Sequence, residues 1–282
     1  VIENGSSDTR CLSFAFYNIT TKSIDDYIRE NKTLIFDSNW YTHEYANGID
    51  FRWMKEDGEI YFFSQKPQLF TIEFDSWSSA EDKPTYLYLN GRFVDNYLIR
   101  NSSMHFQLPL AILPAGESSL TLHSIKGCDV PANETRCLSI AVSNITRNEI
   151  KDSIDKLNVF NKDWHELETD NQGKTFRWFS NDAELKLFNA YDSEKQVKLS
   201  FAAWSYYKPR ILDIFVNGKL INSTNVSTEM NSINTAIFST NAGYSTISFN
   251  SKEGCDRPSE MESSVDKRCL SIAISNLIIR LD

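Results

Sequence analysis

The chain has 282 residues, of which 41% are apolar and 13% aromatic, with 10 glycines and 7 prolines. This composition excludes wholesale disorder, and the length suffices for one large domain or two ordinary ones. The formal charge of −9 argues against nucleic acid as a partner, because phosphate binding needs a basic face. No apolar run approaches the roughly 20 residues of a membrane span, so we expect no span in this segment.

The start of the chain is repeated twice further on. The stretch VIENGSSDTRCLSFAFYNIT (1–20) returns as ANETRCLSIAVSNIT (132–146) and as SSVDKRCLSIAISNLI (263–278). The arginines of the three copies are spaced 126 and then 132 residues apart. Periods of this length indicate tandem domains rather than a solenoid of short units.

These copies divide the chain into three parts. We predict an N-terminal segment over 1–20, a first domain over 21–147 and a second domain over 148–282. Each domain ends on its own copy of the repeated phrase, whereas the first copy has no domain before it. The N-terminal segment therefore resembles the closing strand of a domain that lies outside this chain.

The N-terminal segment contains an apolar row. Leu12, Phe14 and Phe16 fall on one face of a strand that the alternating pattern predicts over 10–20. Such a row needs a partner sheet. We expect the partner to be a preceding domain or another subunit, with strand exchange at the interface.

Both domains have the sequence pattern of a β-sandwich. TYLYLNGRFVDN (85–96) and RILDIFVNGKLIN (210–222) alternate apolar and polar residues around Asn-Gly, which is a strong hairpin signal. SLTLHSI (119–125) and STISFNS (245–251) alternate in the same way. Short strands with turn signals about every 10 residues predict an all-β chain of two tandem jelly-roll-like β-sandwich domains, with an extra N-terminal strand.

The five cysteines follow the repeat. Cys128 and Cys137 lie in the first domain, and Cys255 and Cys269 occupy matching places in the second. We predict two disulfides, since a zinc site would need clustered Cys and His ligands that the four histidines do not supply. Cys11 has no such partner, because counting back from it by the spacing of either pair reaches no cysteine within the chain. We expect Cys11 to have lost its partner or to bond to another molecule.

Asn-x-Ser/Thr sequons are frequent, and together with the predicted disulfides they predict a glycosylated extracellular protein at a cell surface. The eight acceptor residues are Asn4, Asn18, Asn31, Asn101, Asn133, Asn144, Asn222 and Asn225.

Tryptophans recur at matching places in the two domains and either pack the sandwich or form a stacking platform for sugar rings. WSYYKP (204–209) favours a platform, because Tyr206 and Tyr207 cannot both point inward on an alternating strand. The first domain has WSSAED (77–82) at this place. A glycan platform of Trp204, Tyr206 and Tyr207 would therefore belong to the second domain only.

No catalytic motif is present in the sequence, neither a nucleophile elbow, nor a zinc-binding His-Glu-x-x-His, nor a phosphate-binding glycine loop. We therefore expect no enzymatic activity, no metal and no cofactor. KEDGE (55–59) and DNQGK (170–174) predict turns, although acidic loops of this kind can hold Ca²⁺ through oxygen ligands.

Three motifs of the second domain carry a resemblance. The motifs are KPRILDIFVNG (208–218), EGCDRP (253–258) and RCLSIAISN (268–276). In these motifs the second domain resembles the β-sandwich ectodomains of archaeal cell-surface proteins, including those appended to archaeal membrane glycosyltransferases. The resemblance is looser in the first domain, where KPTYLYLNG (83–91) departs from the pattern. It implies a carbohydrate-binding-module-like fold on an archaeal surface. It does not identify a ligand, and no catalytic residues carry over from it.

The sequence supports two functional hypotheses, neither of them catalytic. The favoured one is a structural subunit of a cell-surface filament or coat, joined head to tail to copies of itself through the terminal strand. The alternative is a glycan-binding ectodomain module, including a fragment whose neighbouring domains have been cut away. The partners would be another copy or a preceding domain, covalent N-glycans and surface carbohydrate, with no nucleic acid.

Overall fold

The structure is a computed structural model that describes residues 34–161, 163–261 and 264–282. The predicted strand over 10–20, with Cys11 and the sequons at Asn4, Asn18 and Asn31, lies outside the described residues.

The described part of the first repeat is built of β-strands. They are β1 Ile35–Phe36, β2 Glu44–Ala46, β3 Ile49–Trp53, β4 Asp57–Ser64, β5 Gln68–Ser78, β6 Lys83–Leu89, β7 Arg92–Ile99, β8 Met104–Gln107, β9 Leu110–Leu113, β10 Gly116–Ser124 and β11 Ile140–Ile150. β11 continues past the domain boundary predicted at 147.

The described residues of the second repeat form strands that correspond in order to β2–β11, and one short helix. They are β12 Glu168–Thr169, β13 Thr175–Phe179, β14 Asp182–Asn189, β15 Lys195–Ser205, β16 Arg210–Val216, β17 Lys219–Val226, β18 Asn231–Asn234, β19 Phe238–Thr240, β20 Gly243–Ser251, α1 Pro258–Met261 and β21 Ile272–Leu281.

Each repeat is a jelly-roll sandwich, as predicted. In the first repeat, a sheet in the order β4-β10-β6-β7 faces a sheet in the order β3-β11-β5-β8. In the second repeat, the equivalent sheets have the orders β14-β20-β16-β17 and β13-β21-β15-β18. The two predicted Asn-Gly hairpins join β6 to β7 and β16 to β17. Their turn residues have positive φ, which asparagine and glycine tolerate best.

The two sandwiches share a sheet, which the tandem-domain prediction did not anticipate. β9 of the first repeat pairs antiparallel with β5 and parallel with β14 of the second repeat. The pairing joins half of each sandwich into one ten-stranded sheet. A direct hydrogen bond from the Tyr244 hydroxyl to the Val94 carbonyl, 2.8 Å long, also crosses between the repeats.

The two hydrophobic cores lie on opposite faces of the shared sheet. Leu110 and Ile112 of β9 pack into the second core, whereas Ala111 and Leu113 pack into the first. From the other side, Phe188 of β14 contributes to the first core. All four residues of β9 are buried because a strand between two cores has no solvent face.

The arginine of the repeated phrase fastens an edge of each sandwich. Arg136 forms an ion pair with Glu44 of β2 at 2.6 Å, and Arg268 forms the equivalent pair with Glu168 of β12 at 2.7 Å. The hydrogen bonds that Arg268 donates to Asp266 hold the pKa of this carboxyl below its usual range. The phrase recurs because its arginine and its cysteine both tie the closing strand to neighbouring segments.

Candidate functional site: the outer face of the second sandwich

An aromatic cluster lies on the outer face of the second sandwich. Trp178 of β13 and Trp204 of β15 both pair with the small Ala273 of the central strand β21. The two indole rings lie 5.8 Å apart at 76°, and the ring of Phe176 lies 5.0 Å from Trp204 at 64°. These edge-to-face arrangements are favourable for aromatic rings. The cluster points away from the core, because the neighbours of Trp204 on β15 alternate inward.

The two predicted tyrosines continue this cluster, with Tyr206 half-buried and Tyr207 exposed. The Tyr206 ring meets Trp178 edge-on at 5.9 Å and lies 6.4 Å from the Tyr207 ring. The side chain of Tyr207 is exposed, at 58%. Its φ is 63°, and the backbone N–H of Lys208 donates to the Tyr206 carbonyl at 2.7 Å, so Tyr207 is the central residue of a tight γ-turn.

A buried arginine holds this strained turn in place. Arg210 is fully buried and donates to Ser205 Oγ at 2.8 Å, to Lys208 O at 3.2 Å and to the Tyr206 carbonyl. It also forms an ion pair with Asp256. Burial lowers the pKa of Arg210, and the charge of Asp256 opposes this shift. A non-glycine residue with positive φ persists where its surroundings enforce it, and such residues cluster at binding sites.

The disulfide of the second repeat anchors the same brace. Asp256 directly follows Cys255, which is bonded to Cys269 at a Cα–Cα distance of 5.3 Å. The first repeat has the equivalent arrangement, with a Cys128–Cys137 disulfide at 5.2 Å. Both predicted disulfides are therefore confirmed. In the second repeat the covalent bond fixes the carboxylate that pairs with Arg210 beneath the exposed tyrosine.

A polar groove of about 730 Å³ adjoins the aromatic cluster on the same face. It begins at Ser275 and Ala202, two cross-strand pairs along from Trp204 and Ala273 and therefore on the same face. Its walls carry ammonium groups, hydroxyls, carboxylates and a carboxamide. The polar lining residues are Asp152, Ser153, Asp155, Lys156, Lys174, Thr175, Ser232, Ser275 and Asn276. Aromatic rings beside such mixed donors and acceptors suit a ligand with apolar ring faces and many hydroxyls.

The first sandwich repeats part of this surface. Trp53 and Trp77 flank Ala141 across three strands, and their rings lie 6.2 Å apart at 78°. Ser79 and Ala80 stand at the places of the two tyrosines, so the first sandwich lacks the exposed turn. The tryptophans thus divide by position, since Trp40 and Trp164 pack in the cores whereas the others face outward.

The five sequons among the described residues lie on the surface. Asn101, Asn133, Asn144 and Asn225 are exposed, and Asn222 is half-buried on β17. Their glycosylation stays a prediction.

In the acidic turn at 170–174, the carboxylate of Asp170 is hydrogen-bonded within the turn itself. Asp170 accepts hydrogen bonds from the backbone N–H groups of Gln172 and Lys174, at 2.8 and 2.9 Å. Among the described residues, no group of three His, Cys, Asp or Glu side chains is placed to hold a metal ion. Within the same residues, no helix has the length and apolarity that a membrane span requires.

The described residues form an all-β tandem of jelly-roll sandwiches, each with one disulfide. No protein-family model matches the chain, and no curated protein matches it either. Solved structures do match. The tandem CBM22-1–CBM22-2 domains of Xyn10C from Paenibacillus barcinonensis are 10% identical, with 88% of this chain and 93% of that chain covered and a TM-score of 0.30.

Two further structures are similar over different lengths. The C-terminal CBM6 of LamC from Zobellia galactanivorans is 11% identical and covers 46% of this chain and 97% of its own, with a TM-score of 0.30. The ANX2 ectodomain from Arabidopsis thaliana is 6% identical and covers 90% of this chain and 91% of its own, with a TM-score of 0.32. At such low identities and TM-scores these likenesses carry no argument about a ligand.

Proposed function

We propose that the chain is a non-catalytic glycan-binding module of an extracellular protein, with its site on the outer face of the second sandwich. The observation that carries this proposal is the exposed ring of Tyr207, held by a braced turn beside an aromatic cluster and a polar groove. A pre-positioned ring loses little conformational freedom on binding, which favours affinity.

The arrangement suits an oligosaccharide that lies along the sheet. One sugar would stack its apolar face on Tyr207, and the next units would pass Trp204 into the groove. There Lys174 and Asn276 supply donors, and Asp152 supplies an acceptor for hydroxyl groups. The net charge of −9 favours a neutral rather than an acidic glycan, because like charges repel.

The test is a glycan-array screen of the whole chain, followed by calorimetric titration of any glycan that binds. Tyr207→Asn removes the ring but keeps a residue that tolerates positive φ. We expect about tenfold weaker binding, which corresponds to about 1.4 kcal/mol and to the loss of an aromatic stacking contact.

Tyr45→Ala is the matched control, since Tyr45 is a 74% exposed tyrosine on β2 of the other sandwich. It should leave the affinity unchanged. Absence of binding to any glycan would refute the proposal, and so would equal affinities of the wild type and Tyr207→Asn.

The filament hypothesis stays a prediction. It requires a strand over 10–20, and its covalent version also requires a bond from Cys11; both lie outside the described residues. The archaeal cell-surface setting implied by the sequence resemblance likewise stays a prediction.

A further inference from the structure

Each sandwich has an asparagine at the same β-bulge of its closing strand. In β11 the register against β5 shifts between Ser143 and Thr146, and in β21 the register against β15 shifts at the equivalent place. Asn144 and Asn276 occupy the two bulges with φ of 50° and 55°. A left-handed bulge residue re-aims its side chain, and asparagine tolerates this conformation.

The Asn144 side chain is aimed across the outer face of the first sandwich. Asn144 is exposed, and its Nδ2 donates to Asp75 Oδ2 at 2.7 Å. Asp75 lies on the outward face of β5, since its neighbours Phe74 and Ser76 are buried. On that strand Trp77 is two residues away, about 7 Å along the same face.

A second contact fixes the carboxylate that orients this amide. His105 Nδ1 lies 2.9 Å from Asp75 Oδ1, on the neighbouring strand β8. Burial would raise the pKa of Asp75, but the hydrogen bonds from Asn144 and His105 outweigh it and keep the pKa below its usual range. The carboxylate is therefore ionised at neutral pH and available as an acceptor for the amide.

The two bulge asparagines differ in the residues that come after them. Asn144 opens the sequon Asn-Ile-Thr with Thr146, whereas Asn276 is succeeded by Leu277 and Ile278 and cannot be an acceptor. Asn276 lines the open groove of the second sandwich. At the corresponding place, the first sandwich has an acceptor amide that is hydrogen-bonded to Asp75, two residues from Trp77 on the outward face of β5.

We propose that Asn144 carries an N-glycan whose first sugar stacks on Trp77 and Phe51, so that the first sandwich binds its own covalent glycan. The rings of Phe51 and Trp77 lie 5.2 Å apart and are both half-buried, which leaves part of each ring open on this face. The inference concerns the first sandwich and does not depend on the function proposed for the second.

The chemistry of attachment is compatible with the observed hydrogen bond. Transfer forms a bond between Asn144 Nδ2 and C1 of the sugar and breaks the bond from C1 to the phosphate oxygen of a polyprenol-phosphate-linked sugar donor. One amide proton is lost, and the polyprenol phosphate leaves with the electron pair of the broken bond. The remaining N–H of Nδ2 still donates to Asp75 and directs the sugar along the sheet.

The experiment uses the whole chain, secreted from a host that N-glycosylates. Mass spectrometry of glycopeptides measures occupancy at Asn144, and NMR of isotope-labelled glycan measures the ring-current shifts of the first sugar. We expect an occupied site whose sugar protons lie upfield of those at Asn225, which is exposed on the edge strand β17. Trp77→Val should reduce the upfield shift, because only the ring of Phe51 remains, without loss of occupancy.

Thr146→Val is the matched variant that removes the sequon and keeps Asn144 with its bulge, because Thr146 is exposed and valine suits a strand. It should shift the indole N–H signals of Trp53 and Trp77 but not the signal of Trp204. Two results would overturn the proposal. One is an empty Asn144 beside an occupied Asn225, and the other is a first sugar with the same shifts at both sites.

Discussion

Two buried cations occupy corresponding places in the two sandwiches. Lys83 Nζ pairs with Asp129 at 2.6 Å, and Arg210 pairs with Asp256. Counted back from the Asn-Gly turns, Lys83 corresponds to Arg210, although sequence similarity aligns the Lys-Pro pairs. Each acid directly follows the first cysteine of its disulfide, so the loop is held both by the disulfide and by the ion pair.

Asp256→Asn should destabilise the protein strongly. The substitution leaves the fully buried Arg210 charge without its counter-ion, and breaking a buried pair in this way costs about 3–5 kcal/mol. The measurement is the free energy of unfolding in urea. Asp192→Asn, which breaks the exposed Arg92–Asp192 pair, should leave that free energy unchanged. If both variants lowered the free energy of unfolding equally, burial of Arg210 would not be the reason for the loss.

The residues of the site were predictable to different degrees. The alternation of a strand allows at most one of Tyr206 and Tyr207 to face inward, which predicts one outward ring. It does not predict that β15 ends at Ser205 and that the following γ-turn exposes Tyr207. Arg210 could not be assigned as the brace, since a lysine-proline-arginine sequence also suits an exposed loop. The contact of Asp256 with Arg210 joins β16 to a loop 46 residues away in sequence, which no local pattern reports.

At the scale of elements, β9 decides how the repeats are joined. LPLAILP (108–114) has the continuous apolar character of a strand that is buried on both faces. The pattern does not name the partner, because the parallel pairing with β14 links Leu110 to Leu187 across the boundary between repeats. The hairpins, in contrast, were predictable, since their turn chemistry is local.

Ile112→Ala should weaken the core of the second sandwich, to which Ile112 does not belong in sequence, and through the shared sheet it should lower the stability of the whole molecule. Its side chain is fully buried in the second core, and truncation of a buried isoleucine costs about 2–5 kcal/mol. Urea unfolding followed at residues of the second core would measure the loss. Ile125→Ala is the control, because Ile125 is 45% exposed and should have little effect. A loss confined to the first core would be inconsistent with the shared strand.

At the scale of the whole molecule, the two sandwiches form one continuous structure. Sequence repetition with spacings of 126 and 132 residues predicts tandem domains, but it does not predict how the two repeats are joined. The all-β sandwich class of each repeat was predicted correctly, because the alternation of side chains is a local property. The position of the two cores on opposite faces of the shared sheet was not predicted, since it depends on which residues of β9 face each side.

The shared sheet predicts a single unfolding transition. Loss of one sandwich would expose the β9–β14 junction and strip Leu110 and Ile112, or Phe188, from the remaining core. Differential scanning calorimetry should therefore give a calorimetric enthalpy equal to the van't Hoff enthalpy, the criterion of a two-state transition. Two resolved transitions in the non-reduced protein would show that the sandwiches unfold independently.

The bulge asparagines also bear on how duplicated domains diverge. A single amino-acid replacement, Ile278→Thr, would turn the sequence after Asn276 into a sequon, and Thr146→Ile would erase the one after Asn144. Isoleucine and threonine codons differ by one nucleotide. One mutational step can therefore convert a sandwich that carries a glycan on its outer face into one whose outer face is free for a ligand, or the reverse. The β-bulge that holds the asparagine would stay the same.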